Sequence, residues 1–380
     1  MPAVRRRAQH IDATAPRPAG PAAPPATFEP MSDSYAAAGV DIASSDAGVR
    51  ALVDVLRTID PGRPSRSLLG SGHYASVLRV ADDLAIALST DGVGSKLVVA
   101  EQTGRLETVG IDCVAMNVND LVCVGAEPLA MLDYLAVEQP EPAALAQIAQ
   151  GLKAGAEDAG IEIPGGELAV LPELIRGHPS PHGFDLCGAA FGTVAPDAIV
   201  TGAAIAPGDA LVGLPSSGLH SNGYTLARRA LLQDGGLSLD DAPPQLRGAT
   251  VADALLEPTV IYVRAVLELL ASGIDVHGLA HITGGGLSNL LRLSDAVGFA
   301  IERPLPVPPV FALIAQLGGV PEAEMWNVFN MGCGFVAVVP EARAADAATL
   351  LAARHPGSAR IGTVTDRARR IERPAVPQNA

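Results

Sequence analysis

Apolar positions along this chain follow two periods, and the changes from one to the other predict its elements. Val49, Leu52, Val53 and Leu56 stand at helical spacing, predicting a helix over 46–59 that Asp60-Pro61-Gly62 stops. Leu84 to Leu88 reads as a short buried strand running into Ser89-Thr90-Asp91-Gly92. A helix is expected over 107–124 and a strand over 128–137. An alanine-rich helix then opens at Glu141-Pro142 and closes at Gly160. Strand signals recur at 185–194, 209–214, 298–302, 334–339 and 359–365, and helical patterns at 222–232, 251–272 and 341–353. The alternation predicts a mixed α/β protein, with Ala195 to Pro207 the natural place to divide it. Residues 1–30, with Arg5-Arg6-Arg7 and then Pro16, Pro18, Pro21, Pro24 and Pro25 among alanines, carry no period and are expected to be a disordered, dispensable tail.

Composition narrows the chemistry. The 380 residues hold 26 basic and 41 acidic side chains, a net charge of −15. That balance argues against nucleic-acid or anionic-membrane partners. Any bound phosphate must then be met by backbone N–H groups, a metal or a few placed cations. Lysine occurs only at 96 and 153, neither in a Gly-Lys-Ser/Thr context, which excludes a P-loop. Cys113, Cys123, Cys187 and Cys333 are widely separated and read as reduced, buried thiols of a cytoplasmic protein. No apolar run reaches the ~18–20 residues that span a bilayer. G-x-G-x-x-A at 70–75 and 332–337 lacks a convincing βαβ context, and H-E-x-x-H and G-x-S-x-G are absent.

Four segments carry candidate chemistry. In Thr90-Asp91-Gly92-Val93-Gly94-Ser95-Lys96 a strand enters glycines and then a helix start, where free N–H groups suit phosphate and Asp91 suits Mg²⁺. The alternative there is a turn with a capping Asp and a surface Lys. Along Gly110 to Leu121, Asp112 and Asn119 fall within roughly 20° of each other on the helix, and Asp120 about 80° from Asp112. Carboxylates on so apolar a helix call for a partner. Ile163-Pro164-Gly165-Gly166-Glu167 reads as a short strand and a Gly turn presenting one acid. Ser216-Ser217-Gly218-Leu219-His220-Ser221-Asn222-Gly223 places a histidine among hydroxyls between a strand and a helix, either as an acid, base or phosphate partner or as a solvated loop residue. Two further Gly-rich strings, His281-Ile282-Thr283-Gly284-Gly285-Gly286 and Phe329-Asn330-Met331-Gly332-Cys333-Gly334, suit an anion nest or a plain loop, the first with a helix following over 287–293.

In this order, and together with Ser34–Ile42 and G-A-E-P-L-A-M-L-D-Y over 125–134, these strings resemble the phosphoribosylformylglycinamidine cyclo-ligase (AIR synthetase) family over about residues 34–365. The resemblance implies a two-domain α/β (α+β) fold. A mixed N-terminal sheet over 31–196 would bind ATP and form the core of a homodimer, with an α/β domain over 197–370. It implies ATP-dependent closure of formylglycinamidine ribonucleotide to aminoimidazole ribonucleotide, a C–N ligation of purine biosynthesis using Mg²⁺. Asp91, Asp120 and His220 would be catalytic, with Asp91 and Asp120 on the metal. Gly92, Gly94, Lys96, Asp112, Asn119, Glu167, Ser217 and Asn222 would bind the nucleotide. Val170 replaces an acid common in the family, Ala36 a basic residue and Leu219 a proline, while Gly72-His73-Tyr74-Ala75 replaces a glycine-rich loop. These departures keep two alternatives open: another ATP enzyme of the superfamily, such as a thiamine-monophosphate kinase, or a regulator that binds nucleotide without turnover.

Overall fold

The computed structural model describes residues 42–70 and 72–373, so the expectations for the 1–30 tail and for most of the Ser34–Ile42 string lie outside the described residues. In chain order the first half contains α1 (Ile42–Leu56), β1 (Ser76–Arg79), β2 (Ala85–Gly92), α2 (Leu97–Thr103), α3 (Glu107–Cys123), β3 (Glu127–Val137), α4 (Pro142–Ala159), β4 (Glu162–Val170) and β5 (Phe184–Val194). The second half contains β6 (Ala210–Pro215), α5 (Tyr224–Arg228), α6 (Val251–Leu256), α7 (Val263–Ala271), β7 (Gly278–His281), β8 (Gly298–Ile301), α8 (Pro309–Gly318), α9 (Glu322–Val328), β9 (Cys333–Val339), α10 (Ala344–Ala352), β10 (Ala359–Thr365) and β11 (Ile371–Glu372). The strands form two sheets, β1-β2-β5-β3-β4 and β11-β8-β10-β6-β9-β7. Both are mixed: β3 runs parallel to β4 and β11 to β8, and the remaining neighbours are antiparallel. Among the described residues no helix is long and apolar enough to cross a membrane.

Alternation decides how the first sheet is covered. Along β5, Phe184, Leu186, Gly188 and Ala190 point inward, while Asp185, Ala189 and Phe191 point away. The inward face meets α3, which α4 covers in turn. These two helices approach at backbone distance, since a side chain on Gly151 would run into the Glu107 carbonyl and one on Gly110 into the backbone of α4. Helix α3 is buried almost throughout, because its remaining side packs on β7 and α7 of the second half.

Three expectations change. The expected helix over 251–272 is two helices, because Pro258 cannot continue α6 and the extended segment from Glu257 to Tyr262 intervenes. Ile163-Pro164-Gly165-Gly166-Glu167 is no turn but the interior of β4, an edge strand that tolerates proline. The segment after the triple glycine is a 3₁₀ helix, Gly286–Arg292.

Candidate functional site

The break between α6 and α7 sits against α3, and a chain of buried polar contacts closes that joint. Lys96 Nζ lies 2.7 Å from Asp112 Oδ2, with both side chains fully buried. The same ammonium donates to the Glu257 carbonyl at 2.7 Å and to the His220 carbonyl at 3.2 Å. Asp112 Oδ1 accepts from the backbone N–H and the hydroxyl of Thr259, at 2.7 and 2.6 Å. Asn119, one turn-pair further on, accepts from Tyr262 N–H and donates to the Val260 carbonyl, each at 2.9 Å. Burial pulls the Lys96 ammonium below the usual lysine range, and Asp112 opposes that shift. The three donors of Lys96 thus meet three protein acceptors. Lys96, Asp112 and Asn119, all expected to bind the nucleotide, are sealed from solvent here and hold the second half of the chain on the first.

Asp91 and Asp120 are placed differently. Asp91 stands at the end of β2, half-buried, with Oδ1 taking the Gly92 N–H at 2.7 Å. Its backbone is fixed from behind by Asn117, whose amide donates to the Asp91 carbonyl at 3.1 Å. Burial raises the Asp91 carboxyl above its usual range, the nearby charge of Asp120 adds to this, and His281 and Arg292 oppose it. Asp120 keeps 17% of its side chain exposed and accepts from His281 Nδ1 at 2.9 Å. Arg292, at the end of the 3₁₀ helix, lies over the Tyr74 ring at 5.3 Å, and the Tyr74 hydroxyl donates to the Asn289 carbonyl at 2.9 Å. Two carboxylates, an arginine and the Thr283–Gly286 loop thus meet where the halves join. Gly94, at φ +74°, opens the following turn with free space beside its Cα, and only a short helix follows Lys96.

Two hard carboxylate oxygens suit Mg²⁺, which takes one or two carboxylates and completes its shell with water and substrate phosphate. The described residues contain no cluster of three or more acidic, His or Cys side chains able to hold a metal without such help. The donor set therefore fits a metal that arrives with a nucleotide.

His220, the third residue expected to be catalytic, is enclosed by the protein. It is buried, 1% exposed, in a left-handed backbone conformation at φ +63°. Its carbonyl is held by Lys96 and by the Tyr224 hydroxyl, and Nε2 accepts from Ser217 N–H at 3.3 Å. In this conformation the ring touches no open space and acts as the anchor of its loop. Ser217 donates its hydroxyl to the Pro258 carbonyl at 2.6 Å and shapes the same loop. Asn222 is partly exposed, with an amide nitrogen that has no hydrogen-bond partner, beside Gly284. Glu167 lies on the outer face of β4 opposite Tyr134, on the side of the sheet away from α3. The structure thus brings Asp91, Asp120, Gly92, Gly94 and Asn222 to the junction and leaves Glu167 apart. Sequence reasoning missed the individual roles of His281, Arg292 and Tyr74; a histidine closing a strand just before three glycines was the one signal available.

The AIR synthase related protein N-terminal domain matches residues 72–194, and the corresponding C-terminal domain matches 206–372. A phosphoribosylformylglycinamidine cyclo-ligase of Thermococcus gammatolerans is 48% identical over 341 residues, covering 87% of this chain and 95% of that protein. One of Methanothermobacter thermautotrophicus is 46% identical over 340 residues, covering 89% and 96%. Among solved structures, the fold is similar to AaThiL complexed with AMPPCP and TMP (TM-score 0.57, 16% identity, 81% of this chain and 89% of that one). It is similar too to a hydrogenase maturation protein HypE in complex with ATP (TM-score 0.55, 19% identity, 82% and 86%). With both domain models matched in order and near-full-length relatives close to half identical, this chain belongs to the AIR synthase family.

Proposed function

We propose that the chain is a phosphoribosylformylglycinamidine cyclo-ligase, closing formylglycinamidine ribonucleotide to aminoimidazole ribonucleotide with release of ADP and phosphate. The near-full-length likeness to proteins of that name carries this reading. The chemistry has one obstacle: a formamide oxygen leaves poorly. Transfer of the ATP γ-phosphoryl group to that oxygen converts it to a phosphate ester, and the ribosyl-bearing amidine nitrogen then attacks the carbon. Phosphate leaves with the C–O bond, and the ring closes.

The chain's contribution is placement and charge control. Asp91 and Asp120 are assigned to Mg²⁺, which when bound neutralises charge on the polyphosphate. Gly92 and Gly94 allow close approach of phosphate, and Asn222, beside Gly284, holds an unpaired amide nitrogen that can donate. Arg292 supplies a cation. Fixing the joint through Lys96 and Asp112 keeps these groups in register. We assign 31–196 and 197–370 to the two domains, and a cytoplasmic location. The outward face of the first sheet leaves Leu88, Leu132, Tyr134 and Phe191 exposed, an apolar surface suited to pairing with a second copy.

Purified protein given formylglycinamidine ribonucleotide, ATP and Mg²⁺ is expected to yield ADP, phosphate and an aminoimidazole product detected by diazo coupling. Nucleotide binding without product would overturn the reading in favour of a regulator. Phosphorylation of thiamine monophosphate would overturn it in favour of a kinase.

A further inference from the structure

His281 closes β7 with its ring fully buried, so it cannot touch a substrate. Its two nitrogens nevertheless have defined partners. Nδ1 lies 2.9 Å from Asp120 Oδ1, and Nε2 faces Asn119 Nδ2 at 3.5 Å. The Asn119 amide is not free to turn. Tyr262 N–H needs an acceptor and finds Oδ1, while the Val260 carbonyl needs a donor and finds Nδ2. A donor therefore faces His281 Nε2, which must carry the lone pair. The ring proton is left on Nδ1, pointing at Asp120. Phe335, stacked against the imidazole at 6.4 Å, supports the ring plane. Asp120 is consequently gripped through one oxygen, and its second oxygen accepts no hydrogen bond among the described residues.

We propose that His281, with its tautomer set by Asn119, is a positioning residue that fixes the Asp120 carboxylate toward the metal–nucleotide site. The proposal rests on the assignment of Asp120 to Mg²⁺ made above. Outer partners that orient a ligating carboxylate typically govern roughly ten- to a hundredfold of metal affinity or activity.

The replacement chemistry separates aim from bulk. An asparagine side chain places its NH₂ close to where Nδ1–H stands; glutamine carries it about one bond further, near Nε2; leucine has no donor. The reading is Mn²⁺ affinity by electron paramagnetic resonance with a non-hydrolysable ATP analogue, alongside kcat, KM and thermal melting. His281→Leu and His281→Gln are expected to bind Mn²⁺ roughly ten- to a hundredfold more weakly, while His281→Asn stays within about threefold of the parent. If the leucine variant does not fold, the asparagine–glutamine pair decides alone. Equal Mn²⁺ affinity for the asparagine and glutamine variants, whether parental or weakened, overturns the proposal. So does a parent that binds no Mn²⁺ with the analogue. A parent that binds Mn²⁺ and analogue yet makes no aminoimidazole overturns the cyclo-ligase reading, while the affinity series still decides the role of His281.

Discussion

Asp112 and Asp120 lie eight residues apart on α3, and the structure gives them opposite work. Asp112 is fully buried, paired with Lys96 and bonded twice to Thr259. Asp120 has one oxygen held by His281 and stays partly exposed, near enough to Asp91 for its charge to act on that carboxyl. The difference follows from satisfaction. A carboxylate whose acceptor positions are filled by its own chain is a fastener, and one with an open oxygen is available to a ligand. Chain position and residue type are nearly the same in the two cases, so only the partner set distinguishes them.

Removing the Lys96 ammonium should break this comparison most sharply. Lys96→Met leaves Asp112 buried without its countercharge and strips donors from two carbonyls, and losing one member of a buried pair costs about 3–5 kcal/mol. Denaturant unfolding of purified protein measures this. A midpoint within error of the parent would mean that the joint does not depend on the pair. Asp120→Asn should give the converse result. Its surroundings retain a hydrogen-bonding side chain, so unfolding should change little, while turnover falls on the order of 10²–10³ through loss of metal and phosphoryl positioning. Parallel losses of stability and turnover in both variants would erase the distinction between fastener and ligand.

Acid should act on the joint through its buried histidine. Burial, with His281 and Lys96 adding to it, holds His220 well below the usual imidazole range. The unfolded chain takes up that proton near pH 6.5 and the folded chain does not. The stability linked to neutral His220 is therefore present above about pH 6.5 and is lost as pH falls from there toward the folded value. His73 and His355, lowered by burial, act in the same sense. His277, raised chiefly by Asp209 against its own burial, acts in the opposite one: its stability is present below about pH 6.5 and is lost as pH rises through its folded value. Unfolding free energies between pH 6.5 and 5 should show His220→Asn with a shallower slope, by up to about 1.4 kcal/mol per pH unit for one proton. Asparagine tolerates the left-handed backbone at this position. An unchanged slope would remove His220 from the acid response.

Much of this was written in the chain, and the exceptions have physical reasons. Helical phase placed Asp112 and Asn119 on one face of α3 and turned Asp120 away, and the structure keeps that division: the first two meet the Thr259–Tyr262 segment and the third meets the cleft. Phase could not tell which face was the site, because Thr259, which bonds Asp112 twice, lies 147 positions later. The partners of Lys96 were hidden for a related reason. A lone lysine beside glycines suggests phosphate, yet here its length serves to reach across the joint. His281 was visible only as part of a glycine-rich string, since its meaning depends on Asn119 and Asp120 from another half of the chain. Glu167 looked like a turn acid because Pro164-Gly165-Gly166 disguises a strand, and an edge strand needs few of the donors that proline lacks.

The chain's other lysine provides the finest control on these effects. Lys153 Nζ lies 2.6 Å from Glu157 Oε1 one helical turn on, close enough for a strong pair by distance alone, but the side chains are 70% and 66% exposed. Water already solvates both charges, so the pair replaces good interactions with equally good ones and must also restrict two long side chains. The lysine precedes the glutamate along α4, which is the less favourable order against the helix dipole. Lys153→Ala should therefore shift stability by no more than about 0.5 kcal/mol and leave turnover at the parental value. Lys96 and Lys153 form ion pairs of nearly the same length. If chemical unfolding gave Lys153→Ala a loss comparable to that of Lys96→Met, contact distance rather than burial would set the strength of ion pairs in this fold, and the separation of Asp112 from Asp120 by burial would lose its basis.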